Sequence, residues 1–433
     1  MSATDDILAF ASAQHILSDE VRTDALRLLG DTLAGGAAGA KSAEATKLMY
    51  ANRAFGTDPE ARLLCGGHAS AASAAFFNGF AIHCLEWDAV HEGAVVHALS
   101  VVVATLLAQA DDNGGCDPEV FLTALAVGVD IASGLGIAAT GAMQFFRPAT
   151  AGVIGAALAA ARLADIPEDR FADVMGLAYS FAGGTMQAHV EASIALPLQI
   201  SNAARAAITA VALVKGRMCG PHDVLEGPFG YHNLIEPIDL TRYTSALGSV
   251  WRISEVAIKP FPSARASHGT LGELETLYRQ GLRLNDVAKV ELFAPPLIQR
   301  LVGRLYDPTM SAAYARLCLP ILAPLMLRDG LIDPDLFEGA ALHDPALVKL
   351  AQHVSVELDG NPDRNAMSPQ RLVVTKRDGD ILERTIAANL GSIANPMDAA
   401  QATAKRDLCR RLAGDATDPR IFDDPLAYAT EPK

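Results

Sequence analysis

The chain has 433 residues, of which half are hydrophobic and 20% are charged, and its formal net charge is −15 at pH 7. This composition describes a folded globular protein with room for two or three domains, and it excludes a disordered chain. The acidic balance argues against a nucleic-acid partner, which would need a basic surface. An anionic substrate would need a local basic pocket.

The chain begins MSATDDILAFASAQ, without the positive n-region and apolar h-region of a secretory signal, so we expect a cytoplasmic protein. The first 245 residues predict helices almost throughout, because long Ala-, Leu- and Val-rich segments alternate with short polar punctuation. Two apolar runs, 94–110 and 124–143, contain polar residues such as His97 and Asp130 and lack basic flanks. They predict buried helices and no membrane partner.

The segment HCLEWDAVHEGAVVHALS, residues 83–100, concentrates histidines and acids in an otherwise apolar region. His91-Glu92 followed by His97 suggests a zinc motif, but six residues place the two histidines about 240° apart on a continuous helix. Asp88-x-x-His91 has the spacing of a diiron ligand pair, yet the sequence offers no second pair. We therefore predict no metal, and what remains is an acid and imidazole cluster beside apolar sequence.

The stretch GLGIAA, residues 134–139, fits a dinucleotide-binding pattern, but its surroundings predict helix and no β-α-β unit follows. The sequence also shows neither a phosphate-binding loop nor a Gly-x-Ser-x-Gly elbow. We therefore predict that the protein uses no cofactor.

A second informative stretch, AIKPFPSARASHGTLGELETL, places Lys259, Arg265 and His268 within ten residues. It lies where the helical pattern ends, and domain junctions are favoured places for small-molecule sites. This cluster could bind carboxylates, Arg265 through its planar fork and Lys259 as a point charge. The alternative is an ordinary solvated basic loop.

After residue 250 the pattern changes to strand-like alternation in VAKVELFAP, HVSVELDG and RLVVTKRDGDILERTIAANL, with Asp378-Gly379 placed as a hairpin turn. From GSIANPMDAAQATAKRDLCRRLAG onward the pattern is helical again, and the Pro-containing tail ATDPRIFDDPLAYATEPK is expected to be an exposed extension. We predict a mainly α fold with an all-helical domain over residues 1–248, completed by 393–433, and a smaller α+β lid domain over 249–392.

Five blocks in order, AAFFNGFAIHCLEWD, HALSVVVATLLAQAD, ATAGVIGAALAAARLADI, PLQISNAARAA and KPFPSARASHGTL, resemble the MmgE/PrpD family. That family includes 2-methylcitrate dehydratase, cis-aconitate decarboxylase and iminodisuccinate epimerase. The resemblance implies a helical domain with an α+β lid, a homodimer, no cofactor, and proton transfer at a carbon beside a carboxylate.

The resemblance also implies roles for individual residues. The family's acidic block corresponds to Leu85-Glu86-Trp87-Asp88-Ala89, and the histidine that heads the next helix corresponds to His97. An imidazole suits proton transfer because its pKa lies near neutrality. The catalytic candidates are His97, His268 and Lys259. The substrate-binding candidates are Arg265, Arg147, Asp88, Glu86, Ser263, Leu196 and Ile321.

Three departures from the family pattern concern the substrate. A histidine before the Gly-rich helix is replaced by Arg147, or by Phe146 if no residue is deleted. The family's Lys-Pro block reads Leu196-Pro197, and its tyrosine falls at Ile321. These changes favour a less highly charged acid than the tricarboxylates of the relatives.

The sequence thus predicts a cofactor-independent lyase or isomerase, 2-methylcitrate dehydratase-like, that acts on a small carboxylic acid. An epimerase or a decarboxylase on the same scaffold is an alternative. A degenerate member that binds a metabolite without turnover is a second alternative, because a fold does not guarantee a function.

Overall fold

The structure is a computed structural model that describes residues 2–52 and 58–432. Helices dominate the first 245 residues, as predicted. They are α1 (Ala3–Ser12), α2 (Asp19–Gly39), α3 (Ala43–Asn52), α4 (Ala71–His83), α5 (Ala98–Asp112), α6 (Pro118–Ala138), α7 (Arg147–Leu163), α8 (Phe171–Ser180), α9 (Gln187–Val190), α10 (Ala195–Lys215), α11 (Tyr231–Leu234) and α12 (Thr241–Thr244). A short antiparallel pair, β1 (Ala61–Arg62) and β2 (His68–Ala69), was not predicted.

Small residues let the central helices α4, α5, α6, α7 and α10 pack closely. A methyl group added at Gly155 of α7 would lie 2.4 Å from the carbonyl oxygen of Gly128 in α6, so only glycine fits there. Helix α6 is long and apolar enough to span a membrane, but 89% of its most apolar stretch is buried inside the protein. This burial agrees with the core helix predicted for the region.

The lid contains a four-stranded sheet in the order β4-β3-β5-β6, in which β3 and β4 are parallel and the other pairs antiparallel. The strands are β3 (Val287–Ala294), β4 (Val354–Leu358), β5 (Gln370–Lys376) and β6 (Ile381–Ile386). The predicted hairpin joins β5 to β6, and Gly379 supplies the positive φ of 97° that the turn requires. The lid helices are α13 (His268–Arg279), α14 (Pro296–Val302), α15 (Ala312–Ala315), α16 (Leu319–Asp329) and α17 (Pro345–Ala351).

The chain then returns to the helical domain through α18 (Ala399–Ala413), α19 (Arg420–Asp423) and α20 (Pro425–Thr430). Helix α18 packs on α2, where Lys405 forms a 2.6 Å ion pair with Asp31. One hydrophobic core runs through the helical domain to Ile258 and includes residues of the last three helices. A second core, from Phe261 to Ile386, fills the lid. The mainly α fold with a smaller α+β lid is confirmed, while the domain limits 1–248, 249–392 and 393–433 stay a prediction.

Candidate active site

A small cavity of about 60 Å³ lies where the helical domain meets the lid. Charged and imidazole side chains form part of its lining, and the other lining side chains are apolar. The lining residues are His83, Glu86, Val90, Glu92, Val95, His97, Met143, Phe146, Met186, His189, Leu196, Ala264, Arg265, Leu301, Leu317 and Met367. A larger cavity of about 750 Å³ lies beside α2 and α18, but among the described residues none of the predicted site residues lines it. The small cavity is therefore the candidate active site.

The acidic segment is an irregular loop between α4 and α5, not the continuous helix on which the spacing of His91 and His97 was judged. Glu86 and Val95 adopt left-handed backbone angles, with φ of 54° and 53°, and both line the cavity. A left-handed β-branched valine costs on the order of 1–3 kcal/mol, and such strain clusters at functional sites. A bridge between His91 and Val96 closes this loop and delivers His97 to the start of α5.

Asp88 organises the polar wall. One of its oxygens, Oδ2, accepts hydrogen bonds from Nδ1 of His83 and Nδ1 of His97, each at 2.9 Å, and also from the Ser100 hydroxyl. The two imidazole rings lie edge to face with centroids 4.9 Å apart. Since a carboxylate only accepts, each ring donates from Nδ1, and the Nε2 atoms remain for chemistry.

The two histidines differ in pKa. Burial alone would lower the pKa of His83, but the carboxylates of Asp88 and Glu86 outweigh it and raise that pKa. Burial lowers the pKa of His97, and the charge of Asp88 does not fully offset it. The N-terminus of α5 also favours a neutral ring at His97. The pKa of His83 therefore lies above that of His97, so His83 is the better proton donor of the pair and His97 the better acceptor.

Lys259 lies behind this pair, fully buried, and does not line the cavity. Its Nζ donates to the Glu86 carboxylate and to the Glu86 backbone carbonyl, each at 3.0 Å, and lies 3.7 Å from Oδ1 of Asp88. Although burial opposes it, this lysine and the two histidines lower the pKa of Glu86 to about 2. Lys259 therefore fixes the charge of the acidic residues from behind, a placement that its predicted catalytic contact with substrate does not fit.

One ligand atom from each of His83, Asp88 and His97 lies within 4.8 Å of the others, a spacing that could hold a metal ion. The ammonium group of Lys259 beside Asp88 would repel a divalent cation there. The metal-binding patterns in the sequence include His91 and not His83, but Nε2 of His91 contacts Glu255 at 2.9 Å. The absence of a metal stays a prediction.

The basic stretch is buried, so its interpretation as a solvated loop is wrong. Arg265 lines the cavity, where its Nε donates to Glu92 at 2.8 Å and its Nη1 donates to the backbone carbonyl of Leu390. Ser263 and His268 are fully buried and contact each other at 3.2 Å behind this wall. Burial, Arg265 and Lys259 hold the pKa of His268 well below its usual value. Of these residues the structure brings only Arg265 to the cavity.

Phe146, and not Arg147, lines the cavity. Arg147 heads α7 and is buried in a two-pronged ion pair with Glu236, at 2.6 and 2.8 Å, and its Nη1 donates to the carbonyl of Ala94. The predicted carboxylate contact of Arg147 does not fit this geometry, because its charge is already neutralised inside the helical domain. Arg147 instead holds the loop that carries Val95.

The two positions at which an apolar residue replaces a polar family residue differ in their distance from the cavity. Leu196 lines the cavity near the start of α10, as expected. Ile321 is fully buried in the core of the lid and does not reach the cavity. Its assignment as a substrate-binding residue therefore has no support in the geometry.

Sequence reasoning missed His189 and the loop residues Met143 and Met186, which line the cavity without a recognisable motif. Burial lowers the pKa of His189 to about 4, so this ring is neutral at physiological pH. Glu92 belongs to the zinc-like motif whose spacing excludes a shared metal, yet it pairs with Arg265 in the cavity wall. The one available signal was a histidine in a segment, QAHVEAS, between two apolar helices.

The site is a pair of histidines on one carboxylate, at a cavity between a helical domain and a lid. The MmgE/PrpD N-terminal domain matches residues 6–239 and the MmgE/PrpD C-terminal domain matches residues 261–423. The chain belongs to the MmgE/PrpD family, which confirms the resemblance read from the five sequence blocks.

Its similar proteins include cis-aconitate decarboxylase from Homo sapiens, 26% identical over 404 residues, which covers 86% of this chain and 80% of the relative. Cis-aconitate decarboxylase from Aspergillus terreus is 24% identical over 445 residues, 94% of this chain and 88% of the relative. The cis-aconitate decarboxylase-like protein oryM from Aspergillus oryzae is 24% identical over 345 residues, 74% of this chain and 71% of the relative.

Proposed function

We propose that the protein is a lyase that transfers a proton beside a carboxylate of a small carboxylic acid and releases carbon dioxide. The similar proteins above carry the name decarboxylase, which supports loss of carbon dioxide over the loss of water expected from the sequence. The observation that carries the proposal is the pair of histidines on one Asp88 oxygen at the cavity, the pKa of His83 raised and that of His97 lowered.

His83 and His97 have different roles in the proposed proton transfer. When the bond to the carboxylate breaks and carbon dioxide leaves, the electron pair left on the carbon framework takes up one proton. His83 in its charged form holds such a proton at Nε2, an atom that makes no hydrogen bond within the described residues and lies 3.4 Å from Oε1 of Glu86. Before carbon dioxide leaves, neutral His97 removes a proton from a carbon beside a carboxylate and returns it to the far end of the neighbouring double bond. The double bond shifts with no net change in protons, and the proton of His83 is the one consumed on release. Asp88 orients both rings and stabilises their positive charge.

The lining favours a small acid of low charge. Glu92 compensates Arg265, and Glu86 compensates Lys259, so the wall offers no excess of cations to hold three carboxylates. Leu196 and Phe146 add apolar surface where relatives carry charged or polar groups. The cavity of about 60 Å³ is also far below the roughly 300 Å³ or more of ordinary ligand pockets, so binding must enlarge it.

The test is to incubate the protein with unsaturated mono-, di- and tricarboxylates and measure carbon dioxide release together with product spectra. We expect release from at least one mono- or dicarboxylate, and loss of most of that activity in His97→Gln. A matched control is His222→Gln, which changes a histidine that also contacts an aspartate, Asp173, at 2.9 Å but lies outside the cavity. Binding without turnover across the panel would favour a degenerate metabolite-binding protein.

The family resemblance also supports a proposed homodimer, while the cytoplasmic location stays a prediction from the sequence. Light scattering coupled to size-exclusion chromatography tests the oligomer, and a monomeric mass at micromolar concentration would contradict it.

A further inference from the structure

Arg304 has an unpartnered buried donor beside the cavity. It follows α14, whose residue Leu301 lines the cavity, and its Nη2 donates to the backbone carbonyl of the lining residue His189 at 3.1 Å. The guanidinium stacks on Tyr314, with 5.0 Å between Cζ and the ring centroid. Its Nη1 is buried and has no hydrogen-bond partner within residues 2–52 and 58–432. Buried donors without partners are rare and call for an explanation.

Three buried cations around the cavity are neutralised, whereas Arg300 of α14 is exposed and has no ion pair among the described residues. Lys259, Arg265 and Arg147 each form an ion pair with a glutamate at 3.0 Å or less. Arg304 has no carboxylate within 4.0 Å in the described part of the chain. Arg316 also carries a buried unpartnered nitrogen, but its contacts are the carbonyl of Cys84 and the ring of Phe337, neither of which lines the cavity.

The charge of Arg304 acts on the cavity. After burial, it is the largest contribution that lowers the pKa of His189. Glu86, at the polar part of the lining, in turn acts on Arg304. The guanidinium is therefore within electrostatic reach of two lining side chains. A cation in this position without a carboxylate partner is costly unless an anion compensates it.

We propose that Arg304, which lies behind the lining residues Leu301 and His189 in this structure, binds the carboxylate of the substrate through Nη1 once binding enlarges the cavity. It would take the role that the sequence analysis gave to Lys259, Arg265 and Arg147. This inference rests on the proposed function and specifies its substrate. The acid has a carboxylate at the wall formed by Leu301 and His189, and its apolar part faces Phe146 and Leu196. A guanidinium suits this role because its planar fork matches a carboxylate and it stays charged at any physiological pH.

Isothermal titration calorimetry with methacrylate and mesaconate, a mono- and a dicarboxylate, tests the inference. Arg304→Gln should raise the Kd of the acid that binds the wild type by about 10- to 100-fold, as expected for a lost charge-assisted hydrogen bond. Arg304→Lys, which keeps the charge without the fork, should weaken binding less. The matched control is Arg300→Gln on α14, which loses a similar bond to the backbone carbonyl of Met143 but is exposed. It should change the Kd by less than about threefold.

The inference would be overturned by an unchanged Kd in Arg304→Gln, or by an equal loss of affinity in Arg300→Gln. If Arg304→Gln does not fold, an unchanged Kd in Arg304→Lys would overturn it. So would a wild type that binds neither acid. Binding that depends on Arg304 without carbon dioxide release from any acid would leave the inference standing and remove the proposed function. Turnover that is unchanged in Arg304→Gln would overturn the inference and leave the proposed function standing.

Discussion

The imidazoles of His83 and His97 share a single acceptor, Oδ2 of Asp88, with both Nδ1 atoms at 2.9 Å from it. One carboxylate oxygen thus fixes the tautomer and orientation of both rings. Because Asp88 and Glu86 raise the pKa of His83 while burial lowers that of His97, the two rings are poised for opposite roles.

The pH dependence follows from these directions. His97 accepts a proton only when neutral, so activity should rise with pH through its lowered pKa, below about 6.5. His83 donates only when charged, so activity should fall as pH rises through its raised pKa, above about 6.5. We expect a bell-shaped plot of kcat against pH. In His83→Gln the residual kcat should no longer fall at alkaline pH. If kcat still falls there, another group causes the loss of activity.

Asp88→Asn tests the shared acceptor. An amide can donate as well as accept, so it no longer imposes Nδ1–H on both rings and no longer stabilises their charge. We expect kcat to fall by about 10²- to 10⁴-fold with the fold retained, as measured by steady-state kinetics and circular dichroism. A fall of less than about tenfold would show that the histidines do not depend on Asp88.

Arg147 should act on stability and not on substrate binding. Arg147→Met leaves Glu236 buried without its partner and should lower the free energy of unfolding by about 3–5 kcal/mol, measured by urea denaturation. Replacing both residues, as Arg147→Met with Glu236→Leu, should recover most of that loss. A stable Arg147→Met protein with a strongly raised KM would instead mean that the guanidinium leaves Glu236 for the substrate.

Leu196 should make the protein discriminate against tricarboxylates. A carboxylate held against this side chain loses water without gaining a charged partner, and each 1.4 kcal/mol of that penalty is about tenfold in affinity. We expect kcat/KM for 2-methylcitrate and cis-aconitate to lie at least about 100-fold below that for the best mono- or dicarboxylate. Leu196→Lys should narrow the gap, and the apolar control Leu196→Met should not. Equal turnover of a tricarboxylate by the wild type would contradict the argument.

The regular parts of the fold could be predicted because their patterns are local. Alternation over 287–294 and 370–386 marks β3, β5 and β6, and Gly379 marks the hairpin. The irregular loop from 84 to 97 could not, because its left-handed residues are Glu86 and Val95, where no glycine signals the turn. The pair β1 and β2 is too short to show a period.

The composition of the site was visible in the sequence, but its pairing was not. His97, Asp88, Glu86 and Arg265 were found from local motifs and the family resemblance. The partner of Lys259 lies 173 positions away in Glu86, and that of Arg147 lies 89 positions away in Glu236. Such contacts depend on how helices pack, so the sequence could not show that both cations are already neutralised.

The most direct test of proton transfer by the histidine pair is hydrogen exchange in D₂O, followed by NMR. An acid that the wild type decarboxylates should acquire deuterium at a carbon beside a carboxylate, and the product should carry one deuterium at the carbon protonated during release. Exchange should fall by at least about 100-fold in His97→Gln and remain at the wild-type rate in His222→Gln. Wild-type exchange in a folded His97→Gln protein would contradict the account.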